Sequence, residues 1–101
     1  MNFKNVELKV IQWGIDRDLY KESSPVQQME KLFEEYQELQ AALICNDGDE
    51  ICDAIGDMIV VLTHIAHFNG VDLTLCYKGA YNEIKDRKGK IVNGIFVKES
   101  K

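Results

Sequence analysis

The chain has 101 residues, of which 46% are hydrophobic and 29% are charged, as is typical of one globular domain spanning residues 1–101. Its 17 acidic and 12 basic residues give a formal net charge of −5. This acidic excess argues against a nucleic-acid partner, because nucleic-acid-binding modules show a basic patch. The three cysteines, an odd number without CxxC spacing, indicate reduced thiols. Lacking a signal-peptide pattern and a bilayer-length uncharged run, the protein is expected to be cytoplasmic, with no membrane partner.

Apolar periodicity and capping residues predict an all-α bundle of four helices, over residues 3–17, 25–45, 49–69 and 73–88. A polar loop is expected over 18–24. Ser24 and Pro25 are the N-cap and first residue of the second helix. Gly70 is expected to end the third helix and Asp72 to cap the fourth. The Asn-Gly pair in the tail predicts a short hairpin or extended tail that packs on the bundle or pairs with another subunit.

The third predicted helix is apolar nearly all round, as buried helices are. Four polar residues interrupt it and share a stripe within about 60° of one another at about 100° per residue: Glu50, Asp53, Asp57 and His64. Carboxylates on a core-like helix repel one another and are costly to desolvate unless a cation lies among them. The stripe either faces water or forms a divalent-cation site. His64 is interpreted as a packed or supporting residue rather than a ligand.

Carboxylates of the second helix are predicted to approach the same stripe. The short turn at residues 46–49 makes the second and third helices antiparallel. Glu35 and Glu38 are thereby brought towards Glu50, Asp53 and Asp57. Five carboxylates form a hard oxygen site that suits Mg²⁺, with Mn²⁺ as a substitute.

A basic face on the fourth helix supplies candidate phosphate ligands. Lys78, Asn82 and Lys85 share one side of this helix, and Arg87 and Lys88 follow it. Such an arrangement is usually a solvated helix end. Beside an acidic metal site, it instead indicates phosphoanhydride chemistry.

Trp13, the only tryptophan, is interpreted as core or interface filler. The alternative is stacking on a nucleobase, which makes Trp13 a candidate substrate-binding residue.

The sequence resembles the MazG-like members of the all-α nucleoside triphosphate pyrophosphohydrolase superfamily, in particular the short phage and bacterial type. Their signature is an ExxE on one helix and an ExxD on the next, followed by Lys-x-x-x-Asn-x-x-Lys. The corresponding residues here are Glu35 and Glu38, Glu50 and Asp53, and Lys78, Asn82 and Lys85. The resemblance extends over about residues 27–90. In many members the metal-binding acids align with Ala54 and Asp57, so the metal shell is either shifted by one turn or joined by Asp57.

The resemblance implies a four-helix MazG-like fold and Mg²⁺-dependent hydrolysis of (deoxy)nucleoside triphosphates to monophosphate and pyrophosphate, in nucleotide-pool housecleaning. Glu38 or Glu35 would position or deprotonate the attacking water. Two alternatives remain open: a non-catalytic nucleotide-sensing or protein-interaction module, and a phosphoribosyl-ATP pyrophosphohydrolase-type enzyme.

Assembly is predicted from the third helix itself. One copy of this chain has too few helices to cover its apolar surface, so we expect a homodimer or homotetramer with the active-site cleft near the interface.

Overall fold

The computed structural model describes residues 1–99. Its elements are the helices α1 (Phe3–Asp16), α2 (Leu19–Glu22), α3 (Pro25–Cys45), α4 (Gly48–Phe68) and α5 (Leu73–Ile84), and the strands β1 (Gly89–Val92) and β2 (Ile95–Lys98). The predicted all-α architecture with a C-terminal hairpin is confirmed. The four long helices follow the predicted order.

A helical hairpin of α3 and α4 forms the centre of the molecule. The Ser24 hydroxyl accepts a hydrogen bond from the Gln27 amide, and Pro25 begins α3 as predicted. Asn46 takes a left-handed conformation with φ of 52°, which ends α3 at once. The Asp47 carboxylate then accepts from the Glu50 amide and begins α4. These caps leave a two-residue connection, so the two helices run antiparallel.

Two predicted boundaries were wrong. The expected polar loop over 18–24 contains α2, because the Tyr20 ring packs over Gly14, where a β-carbon would lie 2.8 Å from the ring. This contact holds the segment as a helical turn. The last helix ends at Ile84 instead of Lys88, since residues 85–88 turn the chain into β1.

The buried carboxylate of Glu7 fastens α1 to the start of α5. It accepts hydrogen bonds from the backbone amides of Leu73 and Thr74, at 2.7 and 3.2 Å, and from the Thr74 hydroxyl at 2.6 Å. Lys4 lies 3.4 Å from the same carboxylate. Glu7 therefore satisfies amides at an N-terminus that lack partners within the helix.

The core of a single copy is small, and its fully buried apolar residues are Ala42, Ala54, Val61 and Ala66. The helix α4 is apolar nearly all round, and, as expected for one copy with too few helices to cover it, the side carrying Ile55, Ile59 and Leu62 is exposed. Length and composition alone would also let α4 cross a membrane, a property it shares with the central helices of soluble proteins.

Residues 75–99, here called the arm, extend away from the helical hairpin. Every residue of the arm is exposed. The strands pair antiparallel through a turn at Asn93 and Gly94, both with positive φ, as the Asn-Gly signal predicted. The hairpin does not pack on the bundle. The radius of gyration is accordingly 16.1 Å, compared with about 13 Å for a compact domain of this length.

Candidate metal centre

Three carboxylates meet between α3 and α4. Glu35 and Glu38 lie one turn apart on α3, and Asp57 comes from the facing turn of α4. One oxygen from each lies within 4.8 Å of the others. We call these three residues the acid cluster. Its spacing is small enough for one divalent cation to contact all three.

Glu35 is the buried member of the cluster, with 3% of its surface exposed. Its Oε1 forms an ion pair with the Lys31 ammonium, at 3.3 Å. Its Oε2 is buried and has no hydrogen-bond partner within residues 1–99. A buried carboxylate oxygen without a partner is costly, and a metal ion would satisfy it. The donor set, all carboxylate oxygens, therefore fits a hard cation such as Mg²⁺ or Mn²⁺.

The pKa values of the other two members, Glu38 and Asp57, are raised by their surroundings. Hydrogen bonding with the Glu35 carboxyl raises the pKa of Glu38, and the negative charge of Glu35 adds to the shift. Burial raises the pKa of Asp57, and the charges of Glu35 and Asp53 add to the effect. A bound divalent cation would reverse this penalty by favouring the ionised carboxylates.

The remaining predicted acids flank the cluster. Asp53 lies beside Asp57 on the wall of a groove of about 470 Å³ between α1, α4 and α5, and its charge reaches Asp57. Glu50 lines a shallower depression together with Glu38. The structure thus brings Asp57 together with Glu35 and Glu38, with Asp53 and Glu50 on either side.

The predicted phosphate ligands lie on the arm, whereas the acid cluster lies on α3 and α4. Lys78 and Asn82 line a surface depression with Tyr77 and Tyr81. Lys85, Arg87 and Lys88 are exposed further along the arm. In one copy, the acid cluster and the basic residues occupy different elements.

Trp13 is part of an aromatic cluster around His64. The Trp13 ring stacks on His64 with centroids 5.9 Å apart, and the Arg17 guanidinium lies 4.4 Å from the centre of the same ring. The Tyr20 hydroxyl is 2.7 Å from His64 Nδ1. His64 is thus the packed residue that the sequence indicated. Stacking of a base on Trp13 would require Arg17 to move aside.

This packing predicts a pH-dependent stability. Burial lowers the pKa of His64, and the charge of His67 adds to the shift. Below the ordinary pKa of about 6.5, the unfolded chain binds a proton that the folded protein still excludes. The free energy of unfolding should therefore fall as the pH falls from 7 to 5, by up to about 1.4 kcal/mol per pH unit.

Thermal denaturation as a function of pH tests this expectation. His64→Gln should flatten the dependence, whereas His67→Gln, at an exposed histidine three residues away, should retain most of it, because burial is the larger cause of the shift. The comparison also separates the contribution of His64 to stability from those of Glu38 and Asp57. Because the pKa values of these two carboxyls are raised in the folded protein, their protonation increases the free energy of unfolding as the pH falls. Equal slopes in the wild type and in His64→Gln would contradict the assignment.

Sequence reasoning missed Lys31, although its position four residues before Glu35 places the two on one helix face. It also missed Glu7 and Tyr20, whose partners lie on distant segments.

An antiparallel helical hairpin that gathers carboxylates around one buried glutamate defines an all-α protein with a candidate hard-metal centre. The sequence model of the phosphoribosyl-ATP pyrophosphohydrolase family matches residues 14–87. The chain belongs to this family, a MazG-like all-α pyrophosphohydrolase family, and the resemblance noted from the motifs is confirmed. Membership supports a nucleotide pyrophosphohydrolase-type activity on phosphoanhydride bonds.

A protein of Haemophilus phage HP1 (strain HP1c1), described as an uncharacterized 18.2 kDa protein in the rep-hol intergenic region, is similar to this chain. The two are 42% identical over 72 residues, which cover 71% of this chain and 42% of the phage protein. The chain therefore spans less than half the length of this relative. No solved structure matches the chain.

Proposed function

We propose that the protein hydrolyses (deoxy)nucleoside triphosphates to the monophosphate and pyrophosphate with Mg²⁺, for which Mn²⁺ can substitute. The observation that carries this proposal is the acid cluster, in which one carboxylate oxygen each of Glu35, Glu38 and Asp57 lies within 4.8 Å of the others and Glu35 has a buried, unpartnered Oε2. Family membership supplies the reaction class. Removal of unwanted nucleotides from the pool is the role we infer for this activity.

The residues of the cluster would have different tasks. Glu35, buried and fixed by Lys31, suits a metal ligand, and Asp57 would complete the shell with Asp53 and Glu50 alongside. When bound, Mg²⁺ would hold the phosphate oxygens and stabilise negative charge on the leaving group. Glu38 is the exposed glutamate of the cluster, so it suits a base that orients the water and accepts its proton. The water oxygen bonds to phosphorus, the bridging P–O bond breaks, and pyrophosphate leaves.

We propose that a second copy completes the substrate site. The predicted phosphate ligands Lys78, Asn82 and Lys85 lie on the exposed arm, whereas the acid cluster lies on α3 and α4. An arm packed on a partner could bring these groups to the partner's cluster. A homodimer, or a homotetramer built from two dimers, is therefore the proposed working form.

The family description favours a second candidate substrate, phosphoribosyl-ATP. The bond broken is of the same kind, so the acid cluster would serve both substrates. Phosphoribosyl-ATP differs by the phosphoribosyl group on its adenine ring, which must fit outside the metal site.

A pyrophosphate-release screen tests the proposal. Purified protein with Mg²⁺ is incubated with ribonucleoside triphosphates, deoxynucleoside triphosphates, modified triphosphates and phosphoribosyl-ATP, and the products are separated by ion-exchange chromatography. We expect monophosphate and pyrophosphate from at least one triphosphate, and none in EDTA. Turnover of phosphoribosyl-ATP alone would select the second candidate. Release of a nucleoside diphosphate together with orthophosphate would contradict both candidates. No turnover of any substrate would favour a nucleotide-sensing or protein-interaction module.

A further inference from the structure

We propose that Lys31 is a built-in counter-cation of the acid cluster, which stabilises the metal-free protein and competes with a divalent cation for Glu35. The inference rests on the metal centre within the proposed function. It assigns a role to a residue that lies outside the family motifs described above.

Lys31 contacts the buried end of the cluster. Its ammonium lies 3.3 Å from Glu35 Oε1 in an ion pair, and the side chain of Glu35 is 5% exposed. A lysine ammonium is charged at physiological pH, because its ordinary pKa is about 10.4. It supplies one positive charge to a cluster of three carboxylates.

The ion pair of Lys31 and Glu35 is in an unfavourable order for stabilising the helix α3 itself. A lysine four residues before a glutamate is the less favourable order for an exposed helical ion pair, because both charges oppose the helix dipole. The stabilisation that Lys31 provides is therefore directed at the buried carboxylate rather than at the helix. Without the ammonium, Glu35 would carry an uncompensated charge beside Glu38 and Asp57.

The Lys31 ammonium can also move away from the Glu35 carboxylate. Its side chain is 51% exposed and ends a flexible stem, so the ammonium can turn into water. A divalent cation at the vacant Oε2 would repel an ammonium held at Oε1 of the same carboxylate. Lys31 should therefore lower the affinity for a metal ion that arrives alone.

Binding of Mn²⁺ alone, without nucleotide, measures this competition. Electron paramagnetic resonance of free Mn²⁺ gives the dissociation constant of each variant. Lys31→Met should bind Mn²⁺ about three- to tenfold more tightly than the wild type. Lys31→Arg keeps the charge and should resemble the wild type. Lys21→Met is the matched control, since Lys21 also pairs with an acid, Asp18 at 3.8 Å, away from the cluster.

Thermal denaturation gives a second readout. Metal-free Lys31→Met should melt below the wild type, and saturating Mn²⁺ should close the gap. If this variant is unfolded without metal, Lys31→Gln is used for both measurements. Affinity equal to or weaker than that of Lys21→Met would overturn the role of Lys31. Absence of Mn²⁺ binding by the wild type would instead overturn the metal centre of the proposed function.

Discussion

Glu35→Gln should lower kcat/KM for pyrophosphate release by at least about 100-fold while leaving the fold intact. The amide cannot offer an anionic oxygen to a cation, and Glu35 is the buried member of the acid cluster. The oxygen of glutamine can still accept a hydrogen bond from Lys31, so a polar contact at this position is retained. Initial rates with the best substrate of the screen, at saturating Mg²⁺, measure the effect.

The melting temperature distinguishes loss of a metal ligand in Glu35→Gln from damage to the fold. Glu35 is a charged group held beside Glu38 and Asp57, so neutralising it relieves repulsion in the metal-free protein. The melting temperature without metal should stay the same or rise, whereas the stabilisation by Mg²⁺ should shrink. Loss of a structural residue would lower the melting temperature in both conditions.

Glu30→Gln is the matched control, because Glu30 lies on the same helix but is exposed and outside the cluster. It should retain the activity and the metal response of the wild type. If Glu35→Gln hydrolyses the substrate at the wild-type rate, the acid cluster is not the metal centre of the enzyme.

The parts of the fold that the sequence predicted are those specified by local chemistry. Ser24 and Pro25 begin α3, the Asn46 and Asp47 pair separates α3 from α4, and Asn93 begins the hairpin turn. Each signal involves residues adjacent in the chain, whose caps and φ values depend little on the rest of the molecule.

What the sequence could not predict depends on contacts between distant segments. The α2 turn forms because Tyr20 packs over Gly14 and against His64, 44 positions away in the chain. In the same way, a helical wheel places Asp53 and Asp57 on one stripe but does not say which turn of α4 faces Glu35. The packing of α3 on α4 decides this, and it brings Asp57 into the acid cluster.

The difference in environment between Glu35 and Glu38 likewise depends on tertiary packing. Both lie on the side of α3 that faces α4, yet only Glu35 is buried. Hydrogen bonding with the Glu35 carboxyl, and then its charge, raises the pKa of the exposed Glu38. The ExxE motif alone does not distinguish the two residues.

Tyr81→Glu should convert an oligomer into monomers and abolish activity if the arm completes the site of a partner. Tyr81 lies on the arm with 60% of its surface exposed in one copy, so the substitution removes few contacts within the chain. In an interface it would bury an unpaired carboxylate and lose an aromatic anchor, at a cost of about 2 kcal/mol or more per site. Sedimentation at micromolar concentration measures the change.

The surface of the chain shows why a partner is expected. One copy exposes 7814 Å², about 2,000 Å² more than the roughly 5,800 Å² typical of a monomeric protein of 11.6 kDa. An excess of this size corresponds to the area that each subunit buries in an obligate dimer. It includes apolar side chains on both α4 and the arm, such as Ile59, Leu62, Tyr81 and Ile84.

Leu8→Glu provides the matched control for the interface. Leu8 is also apolar and exposed, at 51%, but it lies on α1 outside the arm and outside the exposed side of α4. The two variants add the same charge to a helix. We expect Leu8→Glu to sediment as the wild type does, at two or four times 11.6 kDa, and Tyr81→Glu to sediment near 11.6 kDa. A wild type that is itself a stable, folded monomer would refute the assembly, because the arm would then have no partner and Lys78, Asn82 and Lys85 would have no acid cluster to serve.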